Sequence, residues 1–557
     1  MNQNNNTKVA KPKMSLFSVV MLALSSIIGS GWLFGAWEAS KVSGPAAIIS
    51  WVIGAIVIGI IAYVYIELGT MFPESGGMSK YAGYTHGPLL GFIASWANWV
   101  SLVTLLPIEA VAAVQYMSSW PWAWANWTNH FVANGTVTTE GLMMVFLFIL
   151  VFTLLNYWSV NLLTRFTSLT SIFKLVVPSV TIIMLLISGF HPGNFTNHNF
   201  GGFLPYGTAP IFAATTVSGI IFSYNAFQTV INVGDEITNP KKNIWRGIVI
   251  ALFASIVIYI MLQFTFIGAI DPAMLAKHGW HGINFESPFA DLAIMLNINW
   301  LVILLYLDAF VSPFGTGVSF VASTSRTLAA MTQNGHMPKI LGKIDQKWGT
   351  PRIAMVANWL ISCILVSIFK NWAVLASVIS TSTLIAYVTG PVTLMALRKH
   401  APEFKRPVTI NFAKVVAPLA FILASLAIYW AMWPTTMEVI VVIALGLPFY
   451  LFYEDKLNWK NSMKKFKGSL WMLFYLAFMS AFSYVGSTPF GGQNWIHYPY
   501  DFLVIIAVSL GFYYWGVNSY QETKEMQDAK NVNNKVKNNG SSSTVVGESI
   551  FRVLITS

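Results

Sequence analysis

Hydrophobic residues run along this chain in long blocks, broken only by short stretches of Gly, Pro, Asn, Lys and Arg. Counting the blocks with turn signals between them predicts fourteen spans, at about 14–43, 45–71, 88–119, 140–158, 166–188, 209–235, 244–270, 299–325, 352–369, 372–397, 412–433, 436–454, 469–486 and 501–518. Each is of the length that crosses a hydrocarbon core of ~30 Å as a helix. Dividing 412–454 in two rests on the Trp433-Pro434 break. The expected fold class is therefore all-α and integral to a membrane.

Two blocks are interrupted where a helix ought to continue. The first carries Ser25-Ser26-Ile27-Ile28-Gly29-Ser30-Gly31-Trp32, the second Gly219-Ile220-Ile221-Phe222-Ser223-Tyr224-Asn225-Ala226-Phe227. Lipid leaves peptide N–H and C=O groups without partners, so a helix breaks at that depth only where protein or a water-filled cavity lines the gap. Paired interruptions in corresponding halves of a chain point to the binding site of a secondary transporter. The breaks lie about 193 residues apart and each opens a set of five spans. An odd number of spans per set turns the second set upside down relative to the first, giving inverted repeats at about 14–188 and 209–397. The organisation expected is an N-terminal tail (1–13), a transport core (14–400), four additional spans (401–518) and a polar C-terminal tail (519–557) expected to be largely disordered. The four additional spans read as peripheral packing or oligomer contacts.

Composition sharpens this picture. Of 557 residues 55% are hydrophobic and 10% charged, against about 25% charged in soluble domains. With the N-terminus inside, every Lys and Arg falls in a cytoplasmic connection or tail except Lys41, Lys277, Lys370 and Lys174, as basic cytoplasmic loops require. This places both termini in the cytoplasm of a cell membrane. It also accounts for the net charge of +11 without nucleic acid, which would want a basic soluble face. The start resembles a signal peptide, but its apolar run resumes after Gly31 and no A-x-A site follows, so it reads as a retained, broken first helix. The single cysteine, Cys363, allows no internal disulfide and suggests no metal site. Sequons at Asn126, Asn134 and Asn194 fall on the external side, as do Trp120, Trp122, Trp124 and Trp127, which suit an interfacial belt. No HExxH, GxSxG or GxxxxGK[ST] is present, and no histidine pair has metal-ligand spacing within a span, so neither an enzyme nor a cofactor is expected. Ring-forming charges or a repeated filter loop, which a channel would show, are also missing.

Several short motifs fall in order over about residues 14–400: Ile28-Gly29-Ser30-Gly31, Phe72-Pro73-Glu74-Ser75-Gly76-Gly77 with Tyr81-Ala82, Phe222 to Phe227, and Glu236 to Ile244. Ser325-Arg326, Asn334 to Pro338 and Gly349-Thr350-Pro351 follow. In these the chain resembles the amino acid–polyamine–organocation permeases. Asp308 to Thr316 looks more specifically like the branch of aspartate–proton symporters. The resemblance implies a leucine-transporter-type fold with spans one and six broken, an amino acid substrate and alternating access. Trp32 departs from the family pattern, where a smaller aliphatic residue is usual. An exchanger of one amino acid for another or for an amine, and a receptor that keeps the permease fold, are the alternatives.

The breaks fit that substrate chemically. The half-helix after Gly31 presents N–H groups and a positive dipole end to a carboxylate. Carbonyls before the break, and around Phe222 to Asn225, suit an ammonium group. The expected substrate residues are Ile28, Gly29, Ser30, Gly31, Phe222, Ser223, Tyr224 and Asn225, with Phe222 and Tyr224 as lids by family analogy. Coupling needs an ion, and ionisable groups within spans are usually functional. Lys174 lies ~12 Å from the cytoplasmic end of its span and Asp308 ~13 Å from the external end of its own, at 1.5 Å per residue. In similar permeases spans one, five and eight converge, and a span-five lysine can replace the sodium ion of related transporters. Lys174 is the expected proton carrier, with Asp308 within its reach. Glu109, after Pro107, is placed near the external vestibule.

Overall fold

The computed structural model describes residues 14–73, 77–157, 160–333, 337–345, 347–455 and 466–524 with a few isolated positions besides, and gives no side-chain placement for 160–171. Glu74 to Gly76, Asn334, His336, the Arg165 side chain, most of the basic 456–467 connection and the polar tail beyond 530 lie outside the described residues.

The polypeptide folds as a helical bundle. The first predicted span is two helices, α1 (Leu16–Ile27) and α2 (Gly31–Ser43), and α3 (Ala47–Met71) follows through a single 3-10 turn. The connection expected after α3 contains a further helix, α4 (Gly77–His86), which leads into α5 (Pro88–Ser118). Next come α6 (Thr139–Tyr157) and α7 (Val160–Ser188). The second interrupted block is three short helices, α8 (Ala209–Val217), α9 (Ile220–Tyr224) and α10 (Gln228–Asn232), before α11 (Pro240–Ala269). Two small helices, α12 (Pro272–His278) and α13 (Pro288–Met295), precede α14 (Asn299–Gln333) and α15 (Arg352–Ile368). The tenth span divides at Val388 into α16 (Trp372–Tyr387) and α17 (Thr389–His400). The remainder is α18 (Ala413–Tyr429), α19 (Thr435–Ala444), α20 (Gly446–Asp455), α21 (Leu470–Val485) and α22 (Tyr500–Asn518). The all-helical expectation has one small exception. Asn134 and Gly135 both take positive φ (53° and 70°), as a tight Asn-Gly turn does, and close a hairpin between Val132–Ala133 and Thr136–Val137.

Eight helical stretches among the described residues are long and apolar enough to cross a bilayer, and five shorter apolar helices accompany them. Their outward faces carry the signature of lipid. Val356, Leu360, Ile364 and Ile368 repeat every fourth residue along α15, and all four are exposed. In water such a stripe would be an interaction or aggregation surface; in hydrocarbon it is simply solvated. This is a multi-pass membrane protein. The sequon at Asn194, by contrast, is not on a surface. Its side chain is buried and donates to the carbonyls of Ile267 (2.9 Å) and Ile270 (2.8 Å).

Helix α5 runs through the centre and is buried along nearly all its length. Pro107 within it cannot donate to the carbonyl of Val103, and Ser362 from α15 supplies that bond instead (3.1 Å). On the side carrying the end of α3, Glu67 is fully buried and accepts from Arg398 Nε (3.0 Å) and the Ile410 amide (2.8 Å), with Arg406 Nε at 3.5 Å. The cluster pins α3 to the end of α17 and to the strand of chain leading into α18. Removing one member of a buried charge cluster leaves the others uncompensated, at a cost of about 3 kcal/mol. Glu67→Ala is therefore expected to lower the melting temperature of the detergent-solubilised protein by several degrees. An unchanged melting curve would show that the two arginines find equal partners elsewhere.

Candidate functional site

Helix α1 stops at Ile27 and α2 starts at Gly31, which leaves end groups with no partner in their own helix. Local bonds meet part of the demand, with Ile28 N donating to Leu24 O (2.9 Å) and Gly29 N to Ile27 O (3.2 Å). Other helices supply the rest. Lys174 Nζ from α7 donates to Ser25 O at 2.7 Å, and Tyr259 Oη from α11 to Ile27 O at 3.0 Å. Across the gap, Ser30 N donates to the carboxylate of Glu109 from α5, at 3.0 Å to Oε2 and 3.3 Å to Oε1. Trp372 Nε1 from α16 donates to Ser30 Oγ at 3.1 Å. A carboxylate thus sits at the positive end of α2 and an ammonium at the negative end of α1, the arrangement helix dipoles favour.

Lys174 has a second bond, to Thr316 Oγ1 at 2.5 Å. Thr316 in turn donates to Ser312 O (3.1 Å), and Ser312 Oγ donates to both oxygens of Asp308 (3.0 and 2.9 Å). Asp308, Ser312 and Thr316 follow one another at intervals of four, so they share one face of α14. Lys174, Glu109 and Asp308 are all buried, and both carboxylates act electrostatically on the ammonium. Neither forms an ion pair with it within 4 Å among the described residues. The Trp32 indole approaches Asp308, yet its buried Nε1 makes no well-formed hydrogen bond.

The second break is held differently. Gly219 takes φ +77°, and a Cβ there would lie 2.8 Å from the Trp372 ring, so glycine is required on both counts. Ala226 takes φ +91°, a conformation that costs a residue with a side chain. Asn225 secures it. Its Oδ1 accepts from Ala226 N (2.8 Å) and Tyr387 Oη (2.5 Å), and its Nδ2 donates to Thr383 Oγ1 (2.9 Å). The two breaks meet, because a Cβ on Gly31 would collide with the Ser223 hydroxyl.

Between them is a cavity of about 10 Å³, lined by residues that include Gly29, Glu109, Phe222, Asn225, Gln228 and Thr316. That is room for about one water molecule. Of the eight expected substrate residues, Gly29, Phe222 and Asn225 line it, and Ser30 is joined to it through Glu109. Ile28, Gly31, Ser223 and Tyr224 are buried around it without lining it. Phe222 lies edge-on to Trp372, whereas Tyr224 stands edge-on against the stacked pair of Trp51 and Tyr259 and does not line the cavity. Glu109 requires a correction: it is fully buried at the break and not in an external vestibule. Thr316, Trp372 and Gln228 were not singled out from the sequence. The first was legible in principle, as the third member of a polar stripe at every fourth position of an apolar helix. Trp372 carries no such signal in an aromatic-rich chain.

A Cβ on Gly29 would stand 2.6 Å from Glu109 Oε1 and 3.2 Å from Thr316 Oγ1, so the backbone, the carboxylate and the lysine's partner are in mutual contact. Glycine here allows the close approach. No group of three or more potential metal-ligating side chains occurs among the described residues.

Comparison with known proteins agrees with this architecture. The amino acid permease family model matches residues 14–442. The chain is 51% identical to the glutamate/serine transporter AimA of Bacillus subtilis (strain 168), over 96% of this chain and 99% of that protein. It is 35% identical to the aspartate-proton symporter of the same organism, over 90% and 95%. It is 23% identical to the branched-chain amino acid permease BcaP, also from Bacillus subtilis (strain 168), over 81% and 94%. By the extent of these matches the chain belongs to the amino acid permease family, and is a membrane transporter and not an enzyme.

Proposed function

We propose that this permease carries an acidic or small polar amino acid into the cell together with a proton, by alternating access. The observation that carries the reading is the occupancy of the first break. The protein's own ammonium, Lys174, sits on the carbonyl end of α1, and its own carboxylate, Glu109, sits on the N–H end of α2. These are the two places that the charged groups of an amino acid would take. A substrate carboxylate meets Ser30 N–H only if Glu109 withdraws or loses its charge, since two carboxylates on one N–H repel. Protonation of the cluster therefore favours loading, and inward release of the substrate lets the proton leave. Lys174 carries or relays that proton, Thr316 and Asp308 hold it in register, and Phe222 with Trp372 closes over the ligand. The relatives named for glutamate, serine and aspartate transport support the substrate class, and the one named a proton symporter supports the coupling.

The finer architecture belongs to the same reading. Fourteen spans, with 14–188 and 209–397 as inverted repeats and 401–518 as an accessory bundle, would place the two breaks at one depth facing each other. Both termini would then lie in the cytoplasm of a cell that carries the protein in its plasma membrane. The basic connections support this orientation.

Reconstituted in proteoliposomes with an acid exterior, the protein is expected to accumulate labelled glutamate, serine or aspartate above the equilibrium level, with uptake rising as external pH falls. Uptake that only equilibrates, or ignores the proton gradient, would refute the symport reading. Lys174→Met is expected to reduce gradient-driven uptake at least tenfold while leaving counter-exchange of preloaded substrate. Full concentrative uptake by that variant would remove Lys174 from the mechanism. Glu109→Gln keeps an acceptor for Ser30 N–H but not the charge, so substrate binding by this variant is expected to become nearly independent of pH between 5 and 8. A pH profile matching the wild type would place the coupling elsewhere.

A further inference from the structure

We infer that Gln228 is the side-chain selector of the site, a neutral carboxamide that hydrogen-bonds a carboxylate or hydroxyl on the substrate. This inference rests on the reading of the cavity as the amino acid site.

The polar side chains lining the cavity are Ser26, Glu109, Asn225, Gln228 and Thr316. Four of them are engaged within the protein. Ser26 Oγ donates to Leu22 O (2.8 Å), and Glu109 holds Ser30 N–H. Asn225 uses both ends of its amide on Thr383, Tyr387 and Ala226, and Thr316 joins Lys174 to Ser312 O. Gln228 differs. It is 2% exposed, and its Oε1 is buried with no hydrogen-bond partner. A buried polar atom without a partner is uncommon in a folded protein, and at bilayer depth no bulk water relieves it. One placed on the wall of a ligand cavity is completed by the ligand.

Position agrees with chemistry. Gln228 opens α10, directly after the turn that Ala226 and Asn225 fix, so the backbone beneath it is held at a set angle. Glu109 and Gly29 are in contact within the cavity lining, and on the proposed reading the amino acid's charged groups belong there, which assigns Gln228 to the side chain. No arginine or lysine lines the cavity. The orphaned oxygen accepts, so a substrate hydroxyl completes it, while a substrate carboxylate is met by the N–H2 end of the same carboxamide. An apolar side chain would leave it unsatisfied, and sites built to hydrogen-bond a group reject analogues that lack it.

The test uses the full-length protein in proteoliposomes and competes labelled substrate with L-serine, L-2-aminobutyrate (methyl in place of hydroxyl) and L-glutamate. Wild type is expected to prefer serine over 2-aminobutyrate at least tenfold. Gln228→Leu should bring that ratio to within threefold. Gln228→Glu should weaken glutamate at least tenfold by like-charge repulsion while affecting serine far less. A serine preference unchanged in Gln228→Leu overturns the inference. So does an equal loss for all three competitors in both variants, which would mark a structural role; ligand-induced thermal shifts in detergent apply the same criteria to a variant that binds but does not transport. If wild type takes up none of the labelled amino acids, the transport reading itself fails, a result separate from any Gln228 effect.

Discussion

Everything in this protein is arranged around a few peptide groups that have lost their helical partners where no bulk water reaches. An unpaired buried N–H or C=O is expensive, and the break between α1 and α2 exposes such groups on both sides. The remedy comes from three directions, Lys174 on α7, Tyr259 on α11 and Glu109 on α5, while Trp372 on α16 holds the Ser30 side chain. Each of those helices must stand at one height and one rotation for its side chain to arrive. The break therefore fixes the bundle as much as the bundle permits the break. The second interruption makes less demand on distant charge, because Asn225 closes its own turn and needs only Thr383 and Tyr387 to hold it.

This division matters for how the two interruptions behave. At the first, the satisfying groups are ionisable, so the strength of each bond depends on where protons sit. At the second they are amide and hydroxyl groups, whose bonding changes little with pH over the physiological range. The polar stripe of α14 extends the support of the first break. It carries Asp308 two turns from Thr316, and Thr316 holds Lys174. A change of charge at the lysine is thereby felt along α14 without any direct ion pair.

Much of this was legible in the residues. Glycine at 29 and 31 inside an apolar run marks an interruption by composition alone, and the apolar blocks located most of the long helices, although α7 begins six residues before its predicted span and α14 runs eight residues past its own. Tertiary facing was the part that one dimension does not hold. Residue counting gave Lys174 and Asp308 similar depths, which is compatible with their common network, but depth carries no azimuth, and the lysine turns to Thr316 rather than to the aspartate. Glu109 was legible and misplaced. It lies nine residues from the Ser118 end of α5, as Asp308 does from the Asn299 end of α14, and the same 1.5 Å rise applied to it would have put it deep in the bilayer. The gap left between the spans at 45–71 and 88–119 holds α4 because Met78, Tyr81, Ala82 and Tyr84 are buried against neighbours, a tertiary effect that so short a stretch does not announce.

The smallness of the cavity then has a physical reading. An amino acid does not fit into about 10 Å³, so a site built here has to open by exchanging partners and not by filling a preformed space. Partner exchange suits a transporter, because trading the lysine's bond to a carbonyl for the substrate ammonium's bond to the same carbonyl replaces like with like. The same holds for trading one carboxylate for another on Ser30 N–H. Neither trade leaves a peptide group unpaired, so the closed and loaded arrangements can lie within a few kcal/mol of each other, the condition for a ligand to shift the balance between states. A break capped by apolar packing would lack this property, since opening it would strand its peptide groups in hydrocarbon. On the proposed reading, the charged residues around the break keep the empty protein closed at modest cost and make that closure reversible by the one kind of molecule that carries both charges.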